Sequence, residues 1–142
     1  MSTTNPDRHP DLQRGDVVLV AFTFIAGPDV QRKRRPALVV QANRYNRRRS
    51  AVVVAAITTS QTHASLPAKV AVPQDSDAGR AAGLRLDSVI DCQTLATLPR
   101  REIVSRLGRL PADLMRQVDR ALADALDLPG GESTAGTSGE DT

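Results

Sequence analysis

The run "SAVVVAAITT", residues 50–59, is the feature that most restricts the fold. Between Ser50 and Thr58 every residue is apolar, and four of them (Val52, Val53, Val54 and Ile57) are β-branched. The run is far short of the roughly 20 apolar residues that cross a bilayer. Its length and branching suit a strand. Because the apolar residues are continuous rather than alternating, both faces of that strand must be covered.

The surrounding chain offers further strands. "DVVLVAF" (16–22) opens after Gly15, and a loop marked by Gly27 and Pro28 follows it. "PALVVQ" (36–41) reads as a second strand, "YNRRR" (45–49) as a polar turn, and the 50–59 run as the third strand. "AKVAV" (68–72), "DSVIDCQTL" (87–95) and "IVSRLGRL" (103–110) supply three more. The last element is a helix begun at Pro111 and ended by Pro129 and Gly130. Leu114, Val118, Ala121, Leu122 and Ala125 form its single apolar stripe, with Arg116 and Arg120 on another face. The expected fold class is mainly β (α+β): a small barrel with one C-terminal amphipathic helix. A barrel removes open sheet edges.

A chain of 142 residues fits one domain and can bury a core without metals or disulfides. Residues 1–12 are polar with two prolines, and 129–142 carry almost nothing apolar, so both read as disordered ends around a domain at 13–128. A single cysteine, Cys92, excludes an internal disulfide and a cysteine-based zinc site. There is no signal-peptide pattern and no bilayer-length apolar run, so the expectation is a soluble, cytoplasmic protein away from the membrane.

Charge is unevenly placed. From Arg14 to Ser60 there are nine cations and only two acids, Asp16 and Asp29. A one-sided basic surface suits a polyanion partner, although arginine-rich loops also keep small proteins soluble. Within this span Arg35 stands apart. It precedes Pro36, which restricts its backbone to extended geometry, whereas Arg32, Lys33 and Arg34 are freer. Its planar, permanently charged fork of donors matches a phosphate. The third strand ends in the hydroxyls of Thr58, Thr59 and Ser60. Neighbouring strand residues face opposite ways, so only one of the two threonines can join Arg35. If strands two and three are neighbours, Thr58 and Arg35 converge on one phosphate. The alternative is that these hydroxyls merely satisfy local backbone groups. His63 lies in the following loop within reach of a bound nucleic acid, and His9 lies in the N-terminal arm. Aromatic side chains are few (Phe22, Phe24 and Tyr45), so single-strand binding by aromatic stacking has few candidates and contacts to a polyanion would rest mainly on arginine and backbone groups.

The order "RGDVVLV", "RRPALVVQ", "VVVAAIT", "LPAKVAVP", "GLRLDSVIDCQTL", "RLGRL" and a final "LMRQVDRALADALDL" resembles the MazF/PemK family of toxin endoribonucleases over about residues 14–128. Its most specific parts are Arg14-Gly15-Asp16, Arg35-Pro36 and Ile57-Thr58. The resemblance implies an SH3-like barrel of the CcdB/MazF type and a homodimer. It implies metal-independent cleavage of single-stranded RNA, with no cofactor, by attack of a 2′-hydroxyl on the adjacent phosphate. It also implies a cognate antitoxin that blocks the RNA groove. Arg35 matches the family's arginine before proline and Thr58 its strand-end threonine, which makes these two the catalytic candidates. Arg32, Lys33, Arg34, Thr59, Ser60 and His63 are the RNA-binding candidates, and no metal ligands are expected.

One position departs from the pattern. Some members carry an acid immediately before the glutamine of the fifth strand, but here Cys92 precedes Gln93 and Asp91 lies one residue further back. Either the general base is unassigned or a bulge shifts the segment. Cys92 itself reads as a small buried hydrophobe. Two other readings stand beside the nuclease. One is a CcdB-like barrel that binds a protein target through its last helix. The other is a degenerate member that binds RNA or antitoxin without cutting.

Overall fold

The computed structural model describes residues 11–48 and 50–130, with residues 22–26 described by their backbone. Six strands and one long helix dominate: β1 (Asp16–Ala26), β2 (Asp29–Val39), β3 (Ala51–Thr58), β4 (Lys69–Val72), β5 (Ser88–Pro99), β6 (Ile103–Arg109) and α3 (Ala112–Leu126). Two short helices, α1 (Asn43–Asn46) and α2 (Asp77–Ala82), fill connections that the sequence pattern leaves as loops. The strands pair antiparallel in the order β4-β5-β3-β2-β1-β6.

β1 and β2 differ most from the sequence expectation. They form one long hairpin, paired from Val17↔Leu38 to Ala26↔Asp29, with only Gly27 and Pro28 at the tip. Gly27 sits at φ 63, where glycine carries no Cβ penalty. The segment expected as a loop is therefore strand, and Arg32, Lys33, Arg34 and Arg35 are strand residues rather than free loop cations. The alternating Phe-Thr-Phe-Ile of 22–25 supplies β propensity enough to carry the ladder to its tip.

β3 is covered on both faces, as its composition requires. Ala55 and Ile57 join one core cluster with Val17, Leu38, Ile90 and Val118. Val52 and Val54 join a second with Leu12, Val18, Val20, Val39 and Ile103. Leu12, placed by sequence in the arm, is only 4% exposed. The apolar stripe of α3 closes the first cluster: Val118 and Ala121 are buried, with Leu114, Leu122 and Ala125 packed beside them. The helix stops at Leu126, earlier than the expected Pro129. Asp127 adopts the left-handed conformation (φ 57, ψ 47), and its amide hydrogen bonds to the helix's last turn.

Among the described residues the sheet does not close into a barrel; β4 and β6 remain its edges. β4 is only four residues long and is stopped by Pro73, so it cannot reach across to β6. α2 covers the gap instead, which is another way of protecting an edge. Its approach needs two glycines. A Cβ on Gly108 of β6 would collide with the backbone of Ala81 and Ala82, and one on Gly83 would collide with Leu107.

The Arg14-Gly15-Asp16 motif is structural. Gly15 bonds Val39 through its amide and Leu110 through its carbonyl. Arg14 donates Nε to the Val40 carbonyl at 2.9 Å and Nη2 to Asp119 of α3 at 2.7 Å. Asp16 is fully buried and accepts from Arg109 at 2.7 Å and from the Gln13 amide at 2.9 Å.

Candidate active site

The β2–β3 ladder pairs Val39↔Val54, Leu38↔Ala55 and Ala37↔Ala56. Carried two positions further, the same register sets Arg35 opposite Thr58. Residues directly opposite in an antiparallel pair project from the same face. Arg35 shares its face with Ala37 and Val39, and Thr58 shares its face with Val54, all three in the second core cluster. At this end of the sheet the face opens to solvent: Arg35 is exposed and Thr58 half-buried. Arg35 is flanked on its other side by Val20 of β1.

The Thr58 hydroxyl has a local partner. Its Oγ1 accepts a hydrogen bond from the Ser60 amide at 3.1 Å, and Ser60 Oγ accepts from the Thr62 amide at 3.3 Å. The backbone bond occupies an oxygen lone pair and leaves the Thr58 O–H to donate outward. The local backbone bond expected as the alternative role of this hydroxyl is therefore present. Thr59 points to the opposite face. There, with Pro36, Leu19, Leu84, Leu86 and Leu107, it lines an apolar cavity of about 410 Å³. His63 is exposed in the β3–β4 turn at φ 57, its carbonyl accepting from the Leu66 amide.

Strand alternation also divides the basic run. Lys33 shares the face of Arg35, while Arg32 and Arg34 project from the other side of the hairpin. Two further residues lie on the Thr58 side: Asp91, the acid one residue behind Cys92, opposite Ala56, and Lys69, not singled out by sequence, opposite Asp91.

Asp91 opens a bulge. β5 pairs Asp91 with Ala56 but Leu95 with Ala55, so Cys92, Gln93 and Thr94 stand outside the ladder with β3. The Asp91 carboxylate holds this turn, accepting from the Gln93 amide at 3.0 Å and from Thr94 Oγ1 at 2.9 Å. Cys92 points the other way, into the first core cluster, and is 1% exposed. Burial, reinforced by the neighbouring Asp91 charge and opposed by Arg14, pushes its thiol up to about 12. A thiol so placed is inert as a nucleophile or base near neutrality. The bulge was legible as one of two options; the acid's return to the Thr58 face was not. Among the described residues no three or more His, Cys, Asp or Glu side chains gather into a metal-binding group.

The arrangement is a cationic, hydroxyl-bearing face on an antiparallel sheet. Residues 13–126 match the family model described as PemK-like, MazF-like toxin of type II toxin-antitoxin system. Endoribonuclease MazF6 of Mycobacterium tuberculosis is 41% identical over 97 residues, 68% of this chain and 81% of that protein. Endoribonuclease EndoA of Bacillus subtilis is 33% identical over 117 residues, 82% of this chain and 96% of the relative. A solved mycobacterial endoribonuclease superposes with a TM-score of 0.63 at 28% identity, covering 84% of this chain and 94% of its own. A mycobacterial endoribonuclease solved in complex with its cognate antitoxin gives 0.61 at 26% identity, covering 83% and 97%. By the extent of the match and the identity of these relatives, the chain belongs to the PemK-like, MazF-like toxins of type II toxin–antitoxin systems.

Proposed function

We propose that this chain is the toxin of a type II toxin–antitoxin pair and a sequence-specific endoribonuclease that cuts single-stranded RNA in the cytoplasm. The observation that supports the site assignment is the β2–β3 register, which, continued two residues past Ala37↔Ala56, brings Arg35 and Thr58 to one open face. In the reaction the 2′-oxygen attacks the adjacent phosphorus, its proton passes to a base, and the 5′-oxygen leaves and takes up a proton. The products are a cyclic phosphate and a 5′-hydroxyl end. Negative charge grows on the phosphate oxygens and on the leaving oxygen. Arg35 meets it with two parallel N–H donors and Thr58 with its O–H. Lys33 extends the same cationic face, and Lys69 of β4 lies on it two strands beyond Thr58. Arg32 and Arg34 would bind flanking RNA from the other side of the hairpin. Thr59, Ser60 and His63 would contact RNA from the β3–β4 connection.

A chain of this family acts as a homodimer and is silenced by an antitoxin protein lying over the RNA face. Relatives solved with a cognate antitoxin support this reading. The test is incubation of the purified chain with a long, weakly structured RNA in EDTA, beside Arg35→Ala and Thr58→Ala, with the ends mapped. Discrete cuts with 5′-hydroxyl ends, lost in both variants, are expected. RNA bound without new ends would make the chain a degenerate binder. No binding and no cleavage by folded protein would redirect attention to a protein target of α3.

A further inference from the structure

Arg44, Arg47, Arg48 and Arg49 fall within six residues, and the site above uses none of them. They lie in an unusual stretch: residues 30–74 contain nine cations (Arg32, Lys33, Arg34, Arg35, Arg44, Arg47, Arg48, Arg49 and Lys69) and no acid. Arg44, Arg47 and Arg48 are exposed or nearly so on and after α1, and none of the three forms a salt bridge among the described residues. Between them stands Tyr45, 45% exposed, with the guanidinium carbons of Arg44 and Arg48 at 4.8 and 5.7 Å from its ring centroid.

The platform beneath is fixed. Asn46 is 1% exposed, donates to the Gln41 carbonyl at 3.0 Å and accepts from Gln41 Nε2 at 2.9 Å. Arg100, also buried, donates to the Asn46 carbonyl at 3.1 Å. A cleft of about 510 Å³ opens beside α1, lined by Asp11, Leu12, Gln13, Asn43, Arg47 and Arg100, so that two arginines and one carboxylate face it. Leu12 belongs to the second core cluster, so the cleft adjoins the sheet face that carries Arg35 and Thr58. α1 joins the far ends of the same two strands. Arg35 and Val39 are about 13 Å apart along β2 at about 3.3 Å per residue, and α1 begins four residues beyond Val39.

We propose that α1 and the cleft beside it form a second contact for single-stranded RNA, away from the cut. Arg44, Arg47 and Arg48 take its phosphates, and the Tyr45–arginine layer stacks one unpaired base. The proposal rests on the endoribonuclease reading for its choice of RNA. Several unpaired cations supply salt-dependent affinity for a polyanion. An aromatic ring among them adds a surface that an unpaired base can use and a duplex, its bases already stacked, cannot. An anionic membrane would call for apolar side chains able to insert, and α1 exposes only this one ring.

The experiment uses the full chain and two RNAs sharing one cut sequence, a short one of about six nucleotides and a long one of about thirty. Each is made in a cleavable form and in a form blocked by a 2′-deoxy sugar at the cut. Arg44→Gln/Arg48→Gln and Tyr45→Ala are compared with a charge-matched control on α3, Arg116→Gln/Arg120→Gln. The α1 double variant is expected to bind blocked long RNA about tenfold more weakly, with a log–log salt slope smaller by about 1.4, at about 0.7 per cation. Tyr45→Ala is expected to lose about fivefold. The short RNA is cut at the native rate by all variants, and the control behaves as wild type. Equal binding of long RNA by wild type and the α1 variants overturns the inference. So does an equal loss in the α3 control, or Arg44- and Arg48-dependent binding to anionic phospholipid vesicles without RNA binding. If the wild type binds blocked long RNA through α1 but cuts neither substrate, the nuclease reading falls and the second contact stands.

Discussion

Continued two residues past its last pair, Ala37↔Ala56, the β2–β3 register sets Arg35 of β2 and Thr58 of β3 on one face of the sheet. Neither side chain needs to cross the sheet to meet the same phosphate. Two donors fixed on one group act as a unit, so their removals are not independent. Thr58→Ala is expected to lower the cleavage rate by about 10²-fold and Arg35→Ala by about 10³-fold. The double variant should be little worse than Arg35→Ala alone. Single-turnover cleavage of one mapped RNA measures all three. Losses that simply multiply would place the two residues on different groups. Circular dichroism and thermal melting should show all three folded, because Arg35 is exposed and Thr58 only half-buried.

The alternation of β2 yields a second expectation. Lys33 lies two residues from Arg35 and shares its face, while Arg32 and Arg34 project from the other. Lys33→Gln should therefore weaken binding of a blocked substrate more than the double variant Arg32→Gln/Arg34→Gln, although the latter removes twice the charge. A nonspecific charge effect predicts the reverse order, and a salt titration of affinity separates the two.

The sequence made this face legible at the level of single positions. Proline after Arg35 and alternation at Thr58-Thr59 are local rules, and both survive in the fold. The register that joins them is not local. It is the β2–β3 pairing, closed across α1. The long β1–β2 hairpin was not legible either: its strands run four residues beyond Phe22 at one end and begin seven before Pro36 at the other. Cations at 32–35 hid that strand, because loops and exposed ribbons share polar composition. The open edge was also hidden. Nothing in "DAGRAA" (77–82) marks a helix seated on β6, and the telling residues, Gly83 and Gly108, read in sequence as ordinary glycines. The Asp91 bulge could be named only as one of two options, since one-residue slips invert every side chain and no local pattern settles them.

The buried Asp16 carboxylate should be the costliest polar group to disturb. It is fully buried, with Arg109 at 2.7 Å and Arg106 at 3.7 Å. Arg109→Ala leaves most of its charge without a near partner and is expected to cost about 3 kcal/mol in urea unfolding. Asp16→Asn combined with Arg109→Ala should recover part of that loss, since no buried charge remains. If Arg109→Ala is neutral, Arg106 and the Gln13 amide suffice to hold the carboxylate.

Gly108→Ala tests how α2 covers the sheet edge. Gly108 has no left-handed backbone to strain, so the substitution acts only through its Cβ, which would strike the backbone of Ala81 and Ala82. Backbone cannot rotate aside as a side chain can. Separation of α2 from β6 should cost about 2–3 kcal/mol and expose the amides of 77–82 to faster hydrogen exchange than those of β3. Gly27→Ala is the contrast: its Cβ meets nothing within 4 Å, so only its φ of 63 opposes the change, a loss of about 1 kcal/mol. Equal effects of the two would mean that α2 does not sit against β6 in solution.

Cys92 gives the pH dependence. Burial holds its proton in the native state to about 12, against an ordinary thiol value of 9.0. Between these values the unfolded chain binds fewer protons at this residue than the native one. Its contribution to stability is therefore complete below about 9 and is lost as pH rises toward 12. The quantity to measure is the wild-type stability minus that of Cys92→Ala at each pH, which removes the contribution of every other group. That difference should be flat from pH 6 to about 8.5 and fall steadily above 9. A thiol reagent at pH 8 should label Cys92 at the rate of global opening, with full reaction only in denaturant. Rapid labelling of native protein would mean that the β5 bulge opens on its own and brings Cys92 out of the core.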